Sequence, residues 1–507
     1  MIVEQTANRP DTDAPEPGWP AVAAERLKAA LLTPVRAMRM RYLPLLMVYF
    51  AYGALGLVAI AESFWIKQAL TLTPADLAGL AVWLTLPWTI KMVFGQIVDS
   101  VALLGSQRRV YVFLGAALVA TGLLILAGAA GGWLAFASLD VLYVLAKLAI
   151  VVGIVLQDVV ADAMSTEVVD REASDGSPRP KADVQRELGM VQVLGRLALS
   201  FGIFAVSGIS GWLAQVISYE AVFLLGLAIP LISITGALLV RLEAVPRKPI
   251  DWRILGGGLA FGAVVVGLGA GRVPFGQEIV FLVSMVVVIA MLARVVRELD
   301  GETRRRIFFA GLIIFAFRAM PGVGEGYRWF TIDVLGFNEA FYGTLAQIGA
   351  GLGMLGIWLL SDAITRRPVA QVLLWLTVIG TVLSLPNIAL VYGLHEWTQT
   401  TLGFGARTIA LIDTAAESPF AQLSMIPLLT LIAIHAPAGR RATWFALMAS
   451  LMNLALVARE LQTKYLNQIF AVDRGQYDEL AILVVTVVAI GFAVPVAVIL
   501  AFGKRAT

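Results

Sequence analysis

Apolar residues along this chain come in long runs separated by short polar stretches. A helix needs about 20 predominantly apolar residues to cross the hydrocarbon core of a bilayer. Six such runs lie at about 43–63, 76–98, 110–130, 138–164, 187–215 and 219–240. Two more follow at about 254–270 and 278–296, the first short and rich in Gly. A further six lie at about 306–325, 339–360, 369–393, 402–436, 442–470 and 479–503. The pattern predicts an all-α polytopic membrane protein of about fourteen spans. The expected division is a tail over 1–41, a six-helix half over 42–245, a two-helix insert with its basic loop over 246–303, and a second six-helix half over 304–507.

The polar stretches orient the spans. Alternate loops carry Arg108/Arg109, Arg171/Arg179/Lys181/Arg186, Arg241/Arg247/Lys248, Arg294/Arg297/Arg304/Arg305/Arg306, Arg366/Arg367 and Arg440/Arg441. The ends carry Arg36/Arg39/Arg41 and Lys504/Arg505. The intervening loops hold little, chiefly Lys67, Arg272, Arg328, Lys464 and Arg474. Basic loops stay on the cytoplasmic side, so both termini are expected there. Removing one span would invert every later loop. Residues 1–20 are polar and Pro-rich and read as no signal peptide, while 21–41 read as a basic amphipathic segment on the membrane surface.

Composition agrees. Hydrophobic residues make up 59% and charged residues 14%, against roughly 25% charged in soluble domains. A net charge of +3 is too small to argue for nucleic acid. The chain has no Cys and only His395 and His435, which speaks against thiolate chemistry and histidine metal clusters. No Walker, nucleophile-elbow or zinc motif is present. The glycines of 349–356 and 256–258 read as helix contacts rather than phosphate loops. Neither an enzyme nor a cofactor is expected.

Charge inside the spans changes the picture most. The fourth run carries Lys147, Asp158 and Asp162 on one helical face. Each would cost roughly 2.5–3.5 kcal/mol at the bilayer centre, so the stripe is expected to line a polar path. Two carboxylates one turn apart repel, which suits a proton or a cationic partner. Lys91, after Pro87 in the second span, is expected either to pair with Asp158 or Asp162 or to snorkel to the surface. Arg196, Arg318 and Arg459 lie too deep for easy snorkelling; they either meet an anionic substrate or pair internally with Asp158, Asp162, Asp413 and Glu417. The twelfth run carries Arg407, Asp413 and Glu417. It echoes the fourth run in a different register.

A weak internal repeat supports two halves. The second span ends Gly95-x3-Asp99 before Arg108 and Arg109, and the tenth ends at Asp362 before Arg366 and Arg367. Each set is expected to form a cytoplasmic latch, with topology alone as the bland alternative. Thr73-Pro74 reads as a helix start. Paired halves suit alternating access about a central site.

Taken in order, PWTIK, GQIVDS, GSQRRVY, QDVVADAMSTEVV, RAMPGVGEGYRWFTIDVLGFNEAFYGTL and PAGRRATWFALMASLMN resemble the folate–biopterin transporter family of the major facilitator superfamily. The similarity runs over most of 43–470, outside the insert near 250–300. It implies a major-facilitator-like fold and uptake of folates or pterins, coupled to protons or to exchange. Lys91, Asp99, Arg108, Arg109, Asp158, Asp162 and Arg318 match the family's charged positions. QDVVADAM also resembles the muropeptide permease family. The leading expectation is a monomeric secondary transporter of a small anionic solute in the cytoplasmic (inner) membrane. The alternatives are a permease for muropeptides or another metabolite, and a non-transporting membrane assembly factor.

Overall fold

The computed structural model describes residues 36–506 apart from 105, 107, 174, 240–249, 272, 298, 366, 422 and 437–440. The expected surface segment of 21–41, the 241–248 basic loop, Arg366 and Arg440 therefore lie largely or wholly outside the described residues. In chain order the long helices are α1 (Met40–Ala69), α2 (Pro74–Ser100), α3 (Arg109–Ala130), α4 (Leu139–Glu167), α5 (Lys181–Val216), α6 (Tyr219–Leu239), α7 (Trp252–Ala270) and α8 (Gly276–Val296). They continue with α9 (Gly301–Arg318), α10 (Glu339–Thr365), α11 (Val369–Val391), α12 (Ala406–Ile434), α13 (Arg441–Ile469) and α14 (Leu480–Ala506). Among the described residues, 13 helices are long and apolar enough to cross a membrane. Helix α9 misses that test because Glu302, Arg304, Arg305, Arg306 and Arg318 fall within it.

Local chemistry sets the boundaries. Thr73 caps α2, accepting from the Asp76 amide at 3.1 Å while its own amide donates to Asp76 Oδ2 at 3.0 Å, a reciprocal capping box. Pro87 removes one backbone donor, and α2 breaks at Ile90 just beyond it. The sequence reading of an unbroken span over 306–325 needs correction. Helix α9 stops at Arg318, residues 319–324 are unwound, and a short helix resumes over Glu325–Asp333. Pro321 withholds an N–H, and Gly324 sits at φ 81°, where a side chain would be strained. Helix α12 is likewise interrupted between Ala421 and Met425.

The first half packs through small residues. Along α3, Gly115 and Gly122 leave space filled by Gln157 and Ile150 of α4. Gly53 of α1 lies against the Leu199 carbonyl of α5. One core, at the outer end, gathers Phe64, Trp65, Leu126, Tyr143 and Phe223. A second, at the inner end, gathers Tyr42, Val98, Tyr111, Val160 and Met164. In the second half, Phe309, Ile314, Leu373, Trp444 and Met452 form the main core.

The halves meet along two seams. Helix α5 meets α10 where a Cβ on Gly211 would stand 2.6 Å from the Gly343 Cα. Helix α2 meets α13, with Asn453 Nδ2 donating to the Trp88 carbonyl at 3.2 Å. The insert lies against this second seam. Gln277 of α8 donates to the Gly79 carbonyl of α2 at 2.9 Å and accepts from Lys464 of α13 at 2.8 Å. Helix α7 fully buries no residue and touches α2 on one side, where Gly258 lies against Val93.

Gly211→Leu should push α5 from α10 and destabilise the protein by about 1–3 kcal/mol, the usual cost of overpacking. Thermal unfolding of purified protein in detergent measures this, with Gly256→Leu on the uncrowded side of α7 as the comparison expected to change little.

Candidate functional site

The stripe on α4 meets its partners from neighbouring helices. The break at Ile90 makes Lys91 the first residue of the inner segment of α2. Its ammonium donates to Asp158 and, at 2.6 Å, to Asp162 Oδ2. Tyr49 of α1 adds a hydrogen bond to Asp162 Oδ1 at 2.6 Å. The expected pairing of Lys91 therefore involves both carboxylates, and the snorkelling alternative is not what the geometry shows. One ammonium between two carboxylates removes most of their mutual repulsion.

Lys147, about three turns from Asp158 and four from Asp162 along α4, is paired elsewhere. Its ammonium stands 2.8 Å from Glu62 Oε1 and 3.1 Å from Oε2, and the Tyr143 hydroxyl donates to Glu62 at 3.0 Å. Glu62 escaped the sequence reading as a site residue because its partner is 85 positions away. Glu62 and Lys147 also line a cavity of about 360 Å³ with Tyr52, Gly53, Gly56, Leu199 and Ile203. Arg196, on α5, is exposed. Internal pairing with Asp158 or Asp162 within ion-pair distance is not seen for it among the described residues.

At the inner end, Arg108 is buried, with 6% of its surface exposed. Its guanidinium donates to Asp99 at 2.9 Å, to the Val98 carbonyl at 3.0 Å and to Glu167 at 2.5 Å. Glu167 thus joins the Asp99–Arg108 pair. A further inner cluster was not anticipated: Glu187 is held by Arg39 at 3.2 Å and by Arg41 and Arg179 at 2.8 Å each. Arg109 begins α3, its amide held by Ser106. In the second copy of the latch, Asp362 lies near the end of α10 and Arg367 is exposed beyond it. The Asp362 side chain and Arg366 lie outside the described residues.

The second half differs. Asp413 is 7% exposed; Asn387 donates to its Oδ2 at 3.0 Å, and its Oδ1 is buried without a partner. Glu417 follows one turn on, exposed. Arg407 does not serve them: it donates to the Gly336 carbonyl at 2.9 Å. Internal pairing of Arg318 and Arg459 with Asp413 or Glu417 is not seen among the described residues. The Arg318 guanidinium touches Met425 Sδ at 3.0 Å and leaves Nε unpartnered. The carboxylate beside Arg459 is Glu460, at 4.0 Å. His435 bonds the Ala506 carbonyl at the end of α14 at 2.7 Å.

The outer end is clasped between halves. Lys67 pairs with Asp333 at 2.5 Å, and Tyr477 also donates to Asp333 at 2.5 Å. Burial and that carboxylate neighbour push the Tyr477 phenol above its ordinary range. Arg474 donates to the carbonyls of Lys67 at 2.8 Å, Leu72 at 2.9 Å and Ile66 at 3.1 Å. Its guanidinium also stacks 4.0 Å from the buried Trp329 ring. A cation at the C-terminal end of α1 complements the helix dipole as well as its carbonyls. Tyr219 donates to Glu339 at 2.8 Å across the same face.

A model of the BT1 family matches residues 53–506. The "Folate-biopterin transporter" of Synechocystis is 27% identical over 455 residues, covering 87% of this chain and 78% of the relative. The "Probable folate-biopterin transporter 4" of Arabidopsis thaliana is 22% identical over 462 residues, covering 86% and 89%. Among solved structures, a POT family transporter in complex with a thioalcohol-conjugated peptide superposes with a TM-score of 0.61 at 15% identity, covering 92% of this chain and 96% of that one. That likeness gives the fold, a major-facilitator-like arrangement of two six-helix halves with an inserted helix pair.

Lys147→Ala leaves the Glu62 carboxylate without its cation and should destabilise the protein; adding Glu62→Gln should restore part of the loss. A double-mutant cycle on thermal stability in detergent is expected to give a coupling of about 1–3 kcal/mol. Additivity of the two substitutions would show the contact to be energetically idle.

Proposed function

The chain belongs to the BT1 family, a family of membrane transporters rather than enzymes, and on that premise we propose that it carries folate or a related pterin across the cytoplasmic membrane. The observation that carries this reading is the match to a folate–biopterin transporter over 87% of the chain. The charged interior supports it: among the described residues Arg318 of α9 has no carboxylate within ion-pair distance and Arg459 of α13 has one only at 4.0 Å, which suits an anionic solute, since guanidinium groups bind carboxylates through paired donors. We take residues 42–245 and 304–507 as the two halves that rock about a central site, with 246–303 as the insert between them.

Alternating access then works through contacts that exist in one state only. The outer clasp of Lys67, Asp333, Arg474 and Tyr477 holds the extracellular end shut here. Opening that end requires breaking it. The cytoplasmic set of Asp99, Arg108 and Arg109, with Asp362, Arg366 and Arg367 as its counterpart, is the corresponding gate on the other side. Lys91, Asp158 and Asp162 tie α2 to α4 so that the first half moves as a unit. Lys147 with Glu62, and Arg196, face the solute from the first half, and Arg318 and Arg459 face it from the second.

Proton coupling, in this reading, falls to Asp413 and Glu417 rather than to the α4 carboxylates. Asp158 and Asp162 already share a lysine. Asp413 is buried, has no cation, and keeps one oxygen without a donor; a buried carboxylate of that kind is the natural place to bind and release a proton.

The test is uptake of labelled folate by proteoliposomes of the purified protein. Accumulation above equilibrium is expected when the interior is alkaline. Asp413→Asn should cut that gradient-driven accumulation at least tenfold and reduce folate–folate exchange far less. Absence of folate and pterin flux with and without a gradient sinks the transport reading, and equal loss in both assays removes Asp413 from coupling.

A further inference from the structure

Helix α9 ends at Arg318 on the threshold of the unwound segment 319–324. Exposed carbonyls and amides there need partners in a membrane. Helix α13 supplies them. Gln462 donates to the Ala319 carbonyl at 2.5 Å, Thr463 accepts from the Gly322 amide at 2.9 Å, and Asn467 donates to the Val323 carbonyl at 3.0 Å. The polar face of α13 that does this also presents Arg459, which lies so close to Gly322 that a Cβ there would stand 3.2 Å from its Nη2. Gly322 lies four residues beyond Arg318, so Arg459 borders the unwound segment that Arg318 opens. The two guanidinium groups thus flank a backbone that makes three hydrogen bonds to α13.

Among the described residues Arg318 has no carboxylate within ion-pair distance, whereas Arg328 has Glu325 at 3.6 Å and Arg459 has Glu460 at 4.0 Å. Arg318 has a thioether sulfur, a weak acceptor, and an Nε buried with no partner. Like charges in a membrane interior are tolerated when an anion joins them. A guanidinium with an unpartnered Nε, beside a second guanidinium from the adjoining helix, offers paired donors to a planar anion.

We infer that Arg318 and Arg459 form a carboxylate-binding subsite that takes the glutamate tail of a folate and so sets selectivity for folates over tail-less pterins. This rests on the proposed substrate class. The planar fork of Arg318 offers Nε and Nη to the two oxygens of one carboxylate, and Arg459 adds charge from the adjoining helix. The pterin ring then lies away from this pair, toward Lys147 and Glu62 on the first half. Arg328 of the short helix bonds Ser63, next to Glu62, at 2.5 Å, which ties the chain after the unwound segment to the helix that carries Glu62.

The experiment compares labelled folate with a labelled pterin that has no glutamate tail, in proteoliposomes, for the native chain, Arg318→Gln, Arg318→Lys and Arg459→Gln. Arg459 is 48% exposed, so its variant tests the idea without a large folding cost. The ratio of folate to pterin uptake is expected to fall tenfold or more in both Gln variants and to recover in part in Arg318→Lys. A proportionate loss of both fluxes, or an unchanged ratio, overturns the subsite. Thermal stabilisation of the detergent-purified protein by p-aminobenzoylglutamate separates this from the broader proposal. Stabilisation of the native chain that is lost in Arg318→Gln upholds the subsite even where no folate flux is found. No stabilisation of the native chain overturns it even where folate is carried.

Discussion

A charge in hydrocarbon must be paired, hydrogen-bonded or bathed in water, and this one requirement organises the interior of the protein. In the first half it is met internally. Lys91 bridges two acids on α4, Lys147 joins Glu62 and Tyr143, and Arg108 gathers Asp99 and Glu167. Each pairing crosses from one helix to another, so removing either partner strands the remaining charge and loosens the helix–helix contact as well. Pairs of this kind add little net stability over an apolar core of the same shape. What they supply is a fixed relation among α1, α2 and α4.

The second half meets the same requirement differently. Its helices are interrupted, and irregular backbone at membrane depth is tolerated where side chains or a water-filled cavity satisfy it. Helix α13 does so for residues 319–324, with Gln462, Thr463 and Asn467 serving as backbone partners. Among the described residues Arg318 and the buried Asp413 have no counter-charge within ion-pair distance around these interruptions, and Arg459 has only Glu460, at 4.0 Å. The molecule is therefore asymmetric in charge though paired in architecture: the first half pairs most of its interior charges, and the second pairs fewer.

How much of this was legible in the sequence depends on the distance over which each feature is determined. The spans follow from local hydropathy, and the observed helices fall on the expected runs. The capped start at Thr73-Pro74 is a five-residue matter and was readable. Lys91 with Asp158 and Asp162 was readable too, because neighbouring spans at equal depth narrow the partners to a few. Glu62 was not, since nothing local says that an acid at the outer third of α1 meets a lysine on α4. The unwinding after Arg318 had a local signal in Pro321, Gly322 and Gly324, but apolar content over 306–325 outweighed it. The backbone partners that make unwinding possible come from α13, far along the chain. The offset between the carboxylates of α4 and α12 was visible as a mismatch of register; that only the α4 pair has a lysine was decided by packing.

The contact of Gly211 with Gly343 has a mechanical side. Helices that pack by interlocking side chains must lift ridges out of grooves before they turn. Here two backbones touch directly, with Gly208 also lending its amide to Gln347 at 2.9 Å, and there is little to disengage. In the transport reading the seam acts as a plain bearing, and resistance to rotation falls on the polar contacts elsewhere between the halves, around Arg474 and Asp333 at the outer end and at Asn453 with Trp88 on the second seam.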